Sequence, residues 1–401
     1  MIIIGVDPHK RMHVASAIDP ATNRQVTALQ VEASLAGYRR LLRWAGGFGE
    51  RSWAVENAHG LGRHLAQWLL ARGEAVEDVA STATARVREL SRGGRRKNDV
   101  IDAAAAASVA ALRGDANPVL AEDITTVLGL LDERRSNVTT QRTRLVNQLH
   151  AVFRDLVPGG APKGLTAAAA SRLLAGIRPA GPVEAARKQL ARDLVAEIRD
   201  ADRRLKLLKA QIAETVAETG SHLIEVDGVG PIVSGRLLAR THKMSRFPTA
   251  AAFASYAGVA PVEVSSADRV RHRLSRGGDR QLNLALHVVA VNQIRMPGST
   301  GRAYYDTKIA AGKTEKEARR CLKRRLADHI WRLMIRDEAG EAAGPGGHQG
   351  TTLQSSAAGS TPTTSSSDKS LPRPRRTRAY DLGSGRLTDT EEPWLEERLL
   401  I

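Results

Sequence analysis

Four acidic residues stand where the sequence pattern predicts the end of a strand or the start of a helix. Asp7 follows the apolar run at the N terminus, and Glu56 ends a second short apolar strand. Asp99 and Asp102 are three residues apart, so they share one face in the first turn of a predicted helix. A carboxylate in a buried strand is costly unless it is paired or binds a metal. Because Mg²⁺ prefers hard oxygen ligands, these acids form a candidate magnesium site if the fold brings them together.

Each of these acids also has an ordinary structural explanation. Asp7 can cap the turn that residues 8–10 are predicted to form. The dipole at a helix N terminus would stabilise either Asp99 or Asp102 without any ligand. That explanation is weaker for the pair, because two like charges so close repel unless something positive lies between them. For Asp7 the sequence leaves both alternatives open.

A second group of residues with chemical potential is the serine pair Ser265 and Ser266, which lies in a predicted loop before a basic stretch. Loop serines are usually ordinary polar residues, and their position alone assigns no catalytic role. The arginines that follow can hold a phosphodiester through charge-assisted hydrogen bonds. We expect contacts with nucleic acid from Arg269, Arg271, Arg273, Arg276 and Arg280.

Two further segments are predicted to contact nucleic acid. Arg95, Arg96 and Lys97 end a basic, glycine-containing run just before the helix that carries Asp99. Residues 226–231 precede an apolar helix and are typical of a helix-hairpin-helix turn, although a plain tight turn has the same pattern. In such a turn, glycines let backbone N–H groups approach a phosphate at a helix N terminus. The glycines concerned are Gly228 and Gly230.

The charge balance points to a polyanionic partner. The 401 residues include 60 Lys and Arg against 43 Asp and Glu, a net charge of +17, which favours nucleic acid. A membrane partner is not expected, because the sequence has no long apolar span and no lipidation signal. The single cysteine, Cys321, excludes a disulfide framework and a cysteine-rich zinc site, and it fits a cytoplasmic location. Aromatic residues are only 3%, so stacking on single-stranded bases is not expected to dominate binding.

The elements that must position these residues fall into four regions. A β-β-α-β-α-β rhythm predicts an α/β domain with a mixed sheet over residues 1–120. Two long charged helices are predicted for 121–220, paired as an antiparallel coiled coil within the chain or between chains. Residues 221–337 are predicted to form a mostly α-helical domain. Residues 338–401 are rich in Gly, Ser, Thr and Pro and are predicted to be a disordered basic tail.

These motifs together resemble a known family. Residues 5–7, Glu56 and residues 97–102 are similar to the N-terminal DEDD, RuvC-like (RNase H-like) domain of the IS110-family transposases. Residues 256–266, with the arginines that follow, resemble the C-terminal transposase domain of that family, and residues 321–326 fit its closing helix. The combination is specific, although each motif alone is common.

The resemblance implies a DNA recombinase with a composite active site. A serine would attack the DNA backbone and form a covalent phosphoserine, and Ser266 is the residue that the family pattern selects. Ala267 stands where the family usually has glycine, so Ser265 is the alternative nucleophile. The Mg²⁺ ligands implied by the family are Asp7, Glu56, Asp99 and Asp102.

The resemblance also implies partners. Members of the family act on donor and target DNA, and a structured non-coding guide RNA from the same element pairs with both. Composite sites imply a homo-oligomer, a dimer or a tetramer, associated with the nucleoid in the cytoplasm.

Two other functions are consistent with the same residues. The chain can be a metal-dependent, RuvC-like junction nuclease in which the acids activate water and the serines are incidental. It can also be a catalytically decayed transposase that only binds nucleic acid. Separate substitution of Ser265 and Ser266 distinguishes the recombinase from the nuclease.

Overall fold

The structure is a computed structural model that describes residues 1–90, 98–113, 118–266, 269–275 and 277–343. The chain divides into two compact units, Met1–Val127 and Leu128–Ile401. The predicted α/β region, 1–120, falls within the first unit. A separate long-helix region and a separate C-terminal domain within the second unit stay predictions.

The first unit is built on a mixed five-stranded sheet. The strand order is β3-β2-β1-β4-β5, in which β1, β2 and β3 are antiparallel neighbours while β4 and β5 run parallel to β1. This sheet confirms the predicted α/β class. The strands are β1 (Ile2–Pro8), β2 (Met12–Asp19), β3 (Arg24–Glu32), β4 (Arg51–Glu56) and β5 (Val76–Val79).

Helices cover both faces of this sheet, which explains why its central strands are apolar at successive positions. Ile4 and Trp53 face a core formed with the first two helices, whereas Ile3 and Ala54 face the fourth helix. The alternation follows the two-residue period of a strand. The helices are α1 (Leu35–Ala45), α2 (Arg63–Leu70), α3 (Ser81–Leu90) and α4 (Asp99–Arg113).

Gly5 permits α4 to lie directly on β1. A Cβ atom at this position would lie 1.8 Å from the carbonyl oxygen of Ala103 and 2.7 Å from the amide nitrogen of Ala107. Ala103, Ala106 and Ala107 are fully buried, so the run of alanines supplies the small side chains that this contact needs. The glycine and the alanines together bring the first turn of α4 close to the end of β1.

Two long helices of the chain, α5 (Ile124–Leu156) and α7 (Pro182–Glu218), pair antiparallel in the second unit. Leu128 shares a buried cluster with Ile212, and Val138 shares one with Ala201. Arg142 on α5 donates a hydrogen bond of 2.5 Å to Asp202 on α7. The predicted pairing therefore forms within the chain, while the supercoil of a coiled coil stays a prediction. A short helix, α6 (Ala167–Gly176), packs against the far end of the pair.

The rest of the second unit is mostly helical and surrounds one core that includes Phe253, Leu286 and Leu322. Residues 261–266 pair antiparallel with residues 269–274, so the prediction of a loop at the serine pair was wrong. Serines and arginines mask the alternation of Val262, Val264 and Val270, which is the pattern of a strand. The elements are α8 (Pro231–Thr241), α9 (Ala250–Tyr256), β6 (Pro261–Ser266), β7 (Arg269–Leu274), α10 (Arg280–Arg295), α11 (Thr300–Ala310) and α12 (Glu315–Ala343).

The last helix extends beyond the predicted start of the disordered tail at residue 338. The carboxylate of Glu338 accepts hydrogen bonds from the backbone N–H groups of Met244 and Ser245, the latter at 3.0 Å. This contact explains why the first residues of the predicted tail are helical. Residues 344–401 lie outside the described part of the chain. Among the described residues, no helix has the length and apolar character needed to cross a membrane.

Candidate active site

Two of the four predicted acids meet at the carboxyl ends of neighbouring parallel strands. Asp7 is the penultimate residue of β1 and is only 8% exposed, and Glu56 is the last residue of β4. Strand alternation places Asp7 on the same sheet face as Ile3 and Gly5, and Glu56 on the same face as Ala54. This is the face against which α4 packs.

The other two acids are brought to the same place by the start of α4. The side-chain oxygen of Asn98 accepts a hydrogen bond of 3.0 Å from the N–H of Ile101, which confirms the predicted cap. Asp99 is the first residue of the helix, and Asp102 lies one turn further on and is buried. The close approach of α4 to Gly5 then carries this turn to the end of β1.

The charges of the other three acids all act on Asp7. Burial raises the pKa of Asp7 to about 6, with His9 lowering it and the charges of Glu56, Asp102 and Asp99 raising it. A buried carboxylate surrounded by three others is costly to ionise, and a cation would remove much of that cost. Such crowding is typical of a functional site.

His9 is a member of this cluster that the sequence did not single out. Its Nε2 atom lies 3.3 Å from an oxygen of Asp7 and 3.4 Å from an oxygen of Asp99. One ligand atom from each of these three residues lies within 4.8 Å of the other two, so the three can share one metal ion. The available signal was a histidine two residues after the acid that ends a strand, at a position interpreted only as a turn.

Arg88 on α3 is a second member of the cluster that sequence reasoning missed. Its Nη1 atom donates a hydrogen bond of 2.5 Å to Asp102, which raises the pKa of the guanidinium, and the charge of Glu56 acts in the same direction. Arg88 therefore neutralises part of the charge of two acids. No local pattern marks it, because it is one of several arginines in residues 86–96.

The donor set fits a divalent cation. Carboxylate oxygens suit Mg²⁺ and Mn²⁺, and an imidazole nitrogen beside them favours a transition metal over Mg²⁺. Among the residues that the structure describes here, the four acids outnumber the one arginine, Arg88. Burial is the main cause of the raised pKa of Asp7, and the charges of Glu56, Asp102 and Asp99 add to it.

The serine pair lies at the far end of the β6–β7 hairpin. Ser266 is in register with Arg269, and Ser265 is in register with Val270. The side chains of Ser265, Ser266, Arg269 and Arg271 lie outside what the structure describes, as do all atoms of Arg95, Arg96, Lys97 and Arg276. Arg273 is exposed in β7, and Arg280 is exposed at the first position of α10.

The root of this hairpin is fixed by a hydrogen-bond network from two helices. The side-chain amide of Asn283 on α10 donates to the carbonyl oxygens of Ala257 and Gly258, at 3.1 and 2.9 Å. Lys323 on α12 donates a hydrogen bond of 2.6 Å to the side-chain oxygen of Asn283. The chain entering β6 is therefore held by side chains that lie outside the hairpin.

The chain leaving the hairpin is held at the same place. The N–H of Asp279 donates to the carbonyl oxygen of Tyr256 at 2.6 Å, and its side chain caps α10 by accepting from Gln281 and Leu282. Arg240 on α8 donates to the other carboxylate oxygen of Asp279 at 2.8 Å. A two-stranded sheet is only marginally stable by itself, so we expect this root to set the direction of the hairpin.

The predicted helix-hairpin-helix turn is a tight turn packed against α10. Gly228 has a φ of +76° and lies so close to α10 that a Cβ atom would be 2.9 Å from the Cβ of Asn292. Asn292 and Gln293 donate hydrogen bonds to the carbonyl oxygens of Gly228 and Asp227. Gly230 is the N-cap of α8, and a single 3₁₀ turn, His222–Glu225, replaces the first helix of the expected motif.

Comparison with known families assigns both parts of the chain to one group of transposases. Residues 4–158 match the DEDD transposase family of IS110 elements, and residues 220–306 match the transposase family IS116/IS110/IS902. The chain belongs to the IS110 family of transposases. A transposase is an enzyme that acts on DNA. The predicted family and the predicted class of enzyme are therefore confirmed.

Similar proteins span nearly the same length as this transposase. The insertion element IS116 44.8 kDa protein of Streptomyces clavuligerus is 27% identical over 84% of the transposase and 95% of its own chain. The insertion element IS900 42 kDa protein of Mycobacterium paratuberculosis is 27% identical over 84% of the transposase and 96% of its own chain. Among solved structures, Thermus thermophilus RuvC aligns over 30% of the transposase and all of its own chain, with 16% identity and a TM-score of 0.24.

Proposed function

We propose that this transposase cleaves and rejoins DNA through a serine nucleophile, at a site where Asp7, Glu56, Asp99 and Asp102 hold Mg²⁺. The observation that carries the proposal is the grouping of Asp7, His9 and Asp99, whose ligand atoms lie within 4.8 Å of one another. The charges of Glu56 and Asp102 also act on Asp7. His9 would complete the ligand set through Nε2. Arg88 would keep Asp102 oriented through their hydrogen bond.

In this proposal the first unit supplies the metal ligands and the second unit supplies the nucleophile. A divalent cation bound by the acids would polarise the scissile phosphate and stabilise the leaving oxygen. The serine oxygen then bonds to phosphorus while one DNA P–O bond breaks, and the serine proton passes to a base or to solvent. The phosphoserine keeps the energy of the phosphodiester, so a DNA hydroxyl can later displace the serine and rejoin a strand without ATP.

Ser266 is the preferred nucleophile over Ser265 because of its register in the hairpin. Ser266 is opposite Arg269, whereas Ser265 is opposite Val270. A guanidinium next to the attacking residue would bind the phosphate and stabilise the charge that develops on it. Arg271, Arg273, Arg276 and Arg280 would extend this positive surface along the substrate.

We further propose that the enzyme works as a dimer or tetramer, guided by a structured RNA that pairs with donor and target DNA. The family resemblance and the net charge of +17 support these partners. The acids lie in the first unit and the serines in the second, so two chains can share one site.

A metal-dependent nuclease that activates water is the second candidate. It is favoured by the fact that Met1–Val127 contains every proposed metal ligand, so this unit would not need the serine to hydrolyse DNA.

Strand cleavage by serine variants decides between the two. DNA is incubated with the enzyme and Mg²⁺, the protein is denatured, and any peptide that carries a nucleotide is mapped by mass spectrometry. The recombinase requires that Ser266→Ala lose both cleavage and the adduct while Ser265→Ala stays active. Cleavage at the wild-type rate by the double variant would establish the nuclease instead.

A further inference from the structure

A cluster of positive charge lies where α10 packs on α12, and none of the arginines of β7 belongs to it. Arg319 and Lys323 are one helical turn apart on α12, Arg320 adjoins Arg319, and His287 lies on α10. Leu286 and Leu322 pack in the same core beside them, so the two helices are in firm contact. We call His287, Arg319, Arg320 and Lys323 the cationic cluster.

Among the described residues of these elements, Glu317 on α12 partly offsets the charge of Arg320, and α9 and α10 add no acid. Helices α9 and α10 contain no Asp or Glu, and α12 contains none between Glu317 and Asp328. Other arginines nearby form salt bridges: Arg324 pairs with Asp328, and Arg240 pairs with Asp279. The cluster is thus a local excess of positive charge in a region where other arginines have partners.

The members of the cluster repel one another at a partly buried position. Burial, together with the charges of Arg319 and Arg320, lowers the pKa of Lys323 to about 8. Burial also lowers the pKa of His287, as do the charges of Lys323 and Arg319. An anion bound between these groups would remove the repulsion and replace part of the lost hydration.

We propose that Arg319, Lys323 and His287 form a binding site for a backbone phosphate of nucleic acid, with Arg320 at its exposed edge. Lysine and arginine are the usual phosphate ligands in proteins, and a histidine can add a further hydrogen bond. Lys323 also donates to Asn283, which holds the root of the serine hairpin. A phosphate bound by Lys323 would therefore be linked to that root through Asn283. The site depends on the proposed function only for the identity of the polyanion.

Salt dependence of binding tests the site. Dissociation constants for a DNA duplex and for an RNA stem-loop are measured over a range of salt concentrations with the full-length enzyme in EDTA. The variants are Arg319→Gln, Lys323→Gln and the double variant. The control is Arg332→Gln, which removes an exposed charge further along the same helix. On duplex DNA, each lost phosphate contact should reduce the slope of log K against log salt by about 0.9.

The expected result is a lower slope for Arg319→Gln and Lys323→Gln than for Arg332→Gln, on DNA, on RNA or on both. The nucleic acid on which the slope falls identifies the source of the phosphate. Arg319→Gln leaves the Lys323–Asn283 hydrogen bond in place, so it separates loss of a phosphate contact from damage to the hairpin root. Slopes equal to that of the control on both nucleic acids would overturn the site. Strand cleavage and adduct formation are scored separately, so failure here leaves the serine mechanism untouched.

Discussion

Asp7 combines burial with three acidic neighbours, and its ionisation therefore opposes folding when no cation is bound. Its pKa of about 6 in the folded chain is higher than in the unfolded chain, so the folded state binds the proton more tightly. The native state is thus favoured below the unfolded pKa, and this contribution is lost as pH rises through 6.

Asp7→Asn removes that titration, and in EDTA it should raise the melting temperature at pH 7. We expect a rise of about 2–4 °C and little difference from wild type at pH 4, where Asp7 is protonated in the folded state. Adding Mg²⁺ should reverse the order, because only the wild type keeps the ligand. Calorimetry at the two pH values measures both effects. A variant less stable than wild type at pH 7 in EDTA would show that positive charge near the site already compensates Asp7.

His9 should make the site discriminate between metals. An imidazole nitrogen strengthens binding of Mn²⁺ more than that of Mg²⁺, so His9→Asn should weaken Mn²⁺ binding and change Mg²⁺ binding much less. Titration followed by electron paramagnetic resonance measures bound Mn²⁺ directly, and Mg²⁺ is measured by competition. His64→Asn, which replaces an exposed histidine of the same unit, serves as the control. Equal losses for both metals would mean that His9 does not act as a ligand.

The hairpin β6–β7 depends on elements that are remote from it in sequence. Its entry is bonded to Asn283, and its exit is bonded through Asp279 to α8 and α9. Because the serines lie at the other end of the two strands, we expect a small change at the root to displace them.

Asn283→Asp tests this dependence with almost no change in volume. The carboxylate still accepts from Lys323 but cannot donate to the carbonyl oxygens of Ala257 and Gly258, which it would repel. We expect cleavage to fall by up to about a hundredfold, as for a misplaced catalytic group, while metal affinity is retained. Gln281→Glu adds the same charge at an exposed position of α10 and should be mild. Full activity of Asn283→Asp would show that the hairpin is positioned by other contacts.

The sequence predicted those features that depend on local pattern. Apolar runs located β1 and β4, and Asn98 located the start of α4, so the sequence could place each of the four acids at the end of an element. His9 and Arg88 were missed because their roles arise only when distant elements pack together. The strands of the hairpin were missed because its many serines and arginines obscured the alternation of apolar and polar residues. The extension of α12 depends on Glu338 meeting Met244, which no local pattern reports.

The division of the chain bears on how the whole enzyme assembles. The proposed metal ligands lie in Met1–Val127, and the serines lie in Leu128–Ile401. In the proposed mechanism, the metal ligands and the serine of one site would come either from a single chain or from two chains.

Mixing two inactive variants distinguishes these arrangements. Asp7→Ala lacks a metal ligand and Ser266→Ala lacks the nucleophile, so neither should cleave DNA alone. If sites form between chains, an equal mixture should recover about a quarter to a half of wild-type cleavage, depending on how the chains pair. Sedimentation of the mixture establishes that mixed oligomers are present. Mixed oligomers without any cleavage would place each complete site within a single chain.

The contact between Gly5 and Ala103 also sets an order of events during synthesis. Asp7 and Glu56 leave the ribosome early, but their partners Asp99 and Asp102 cannot join them until α4 has emerged and settled on β1. A nascent chain that ends before this helix contains Asp7 and Glu56 but lacks Asp99 and Asp102. The proposed cation site is thus not assembled until the first unit has been completed and folded.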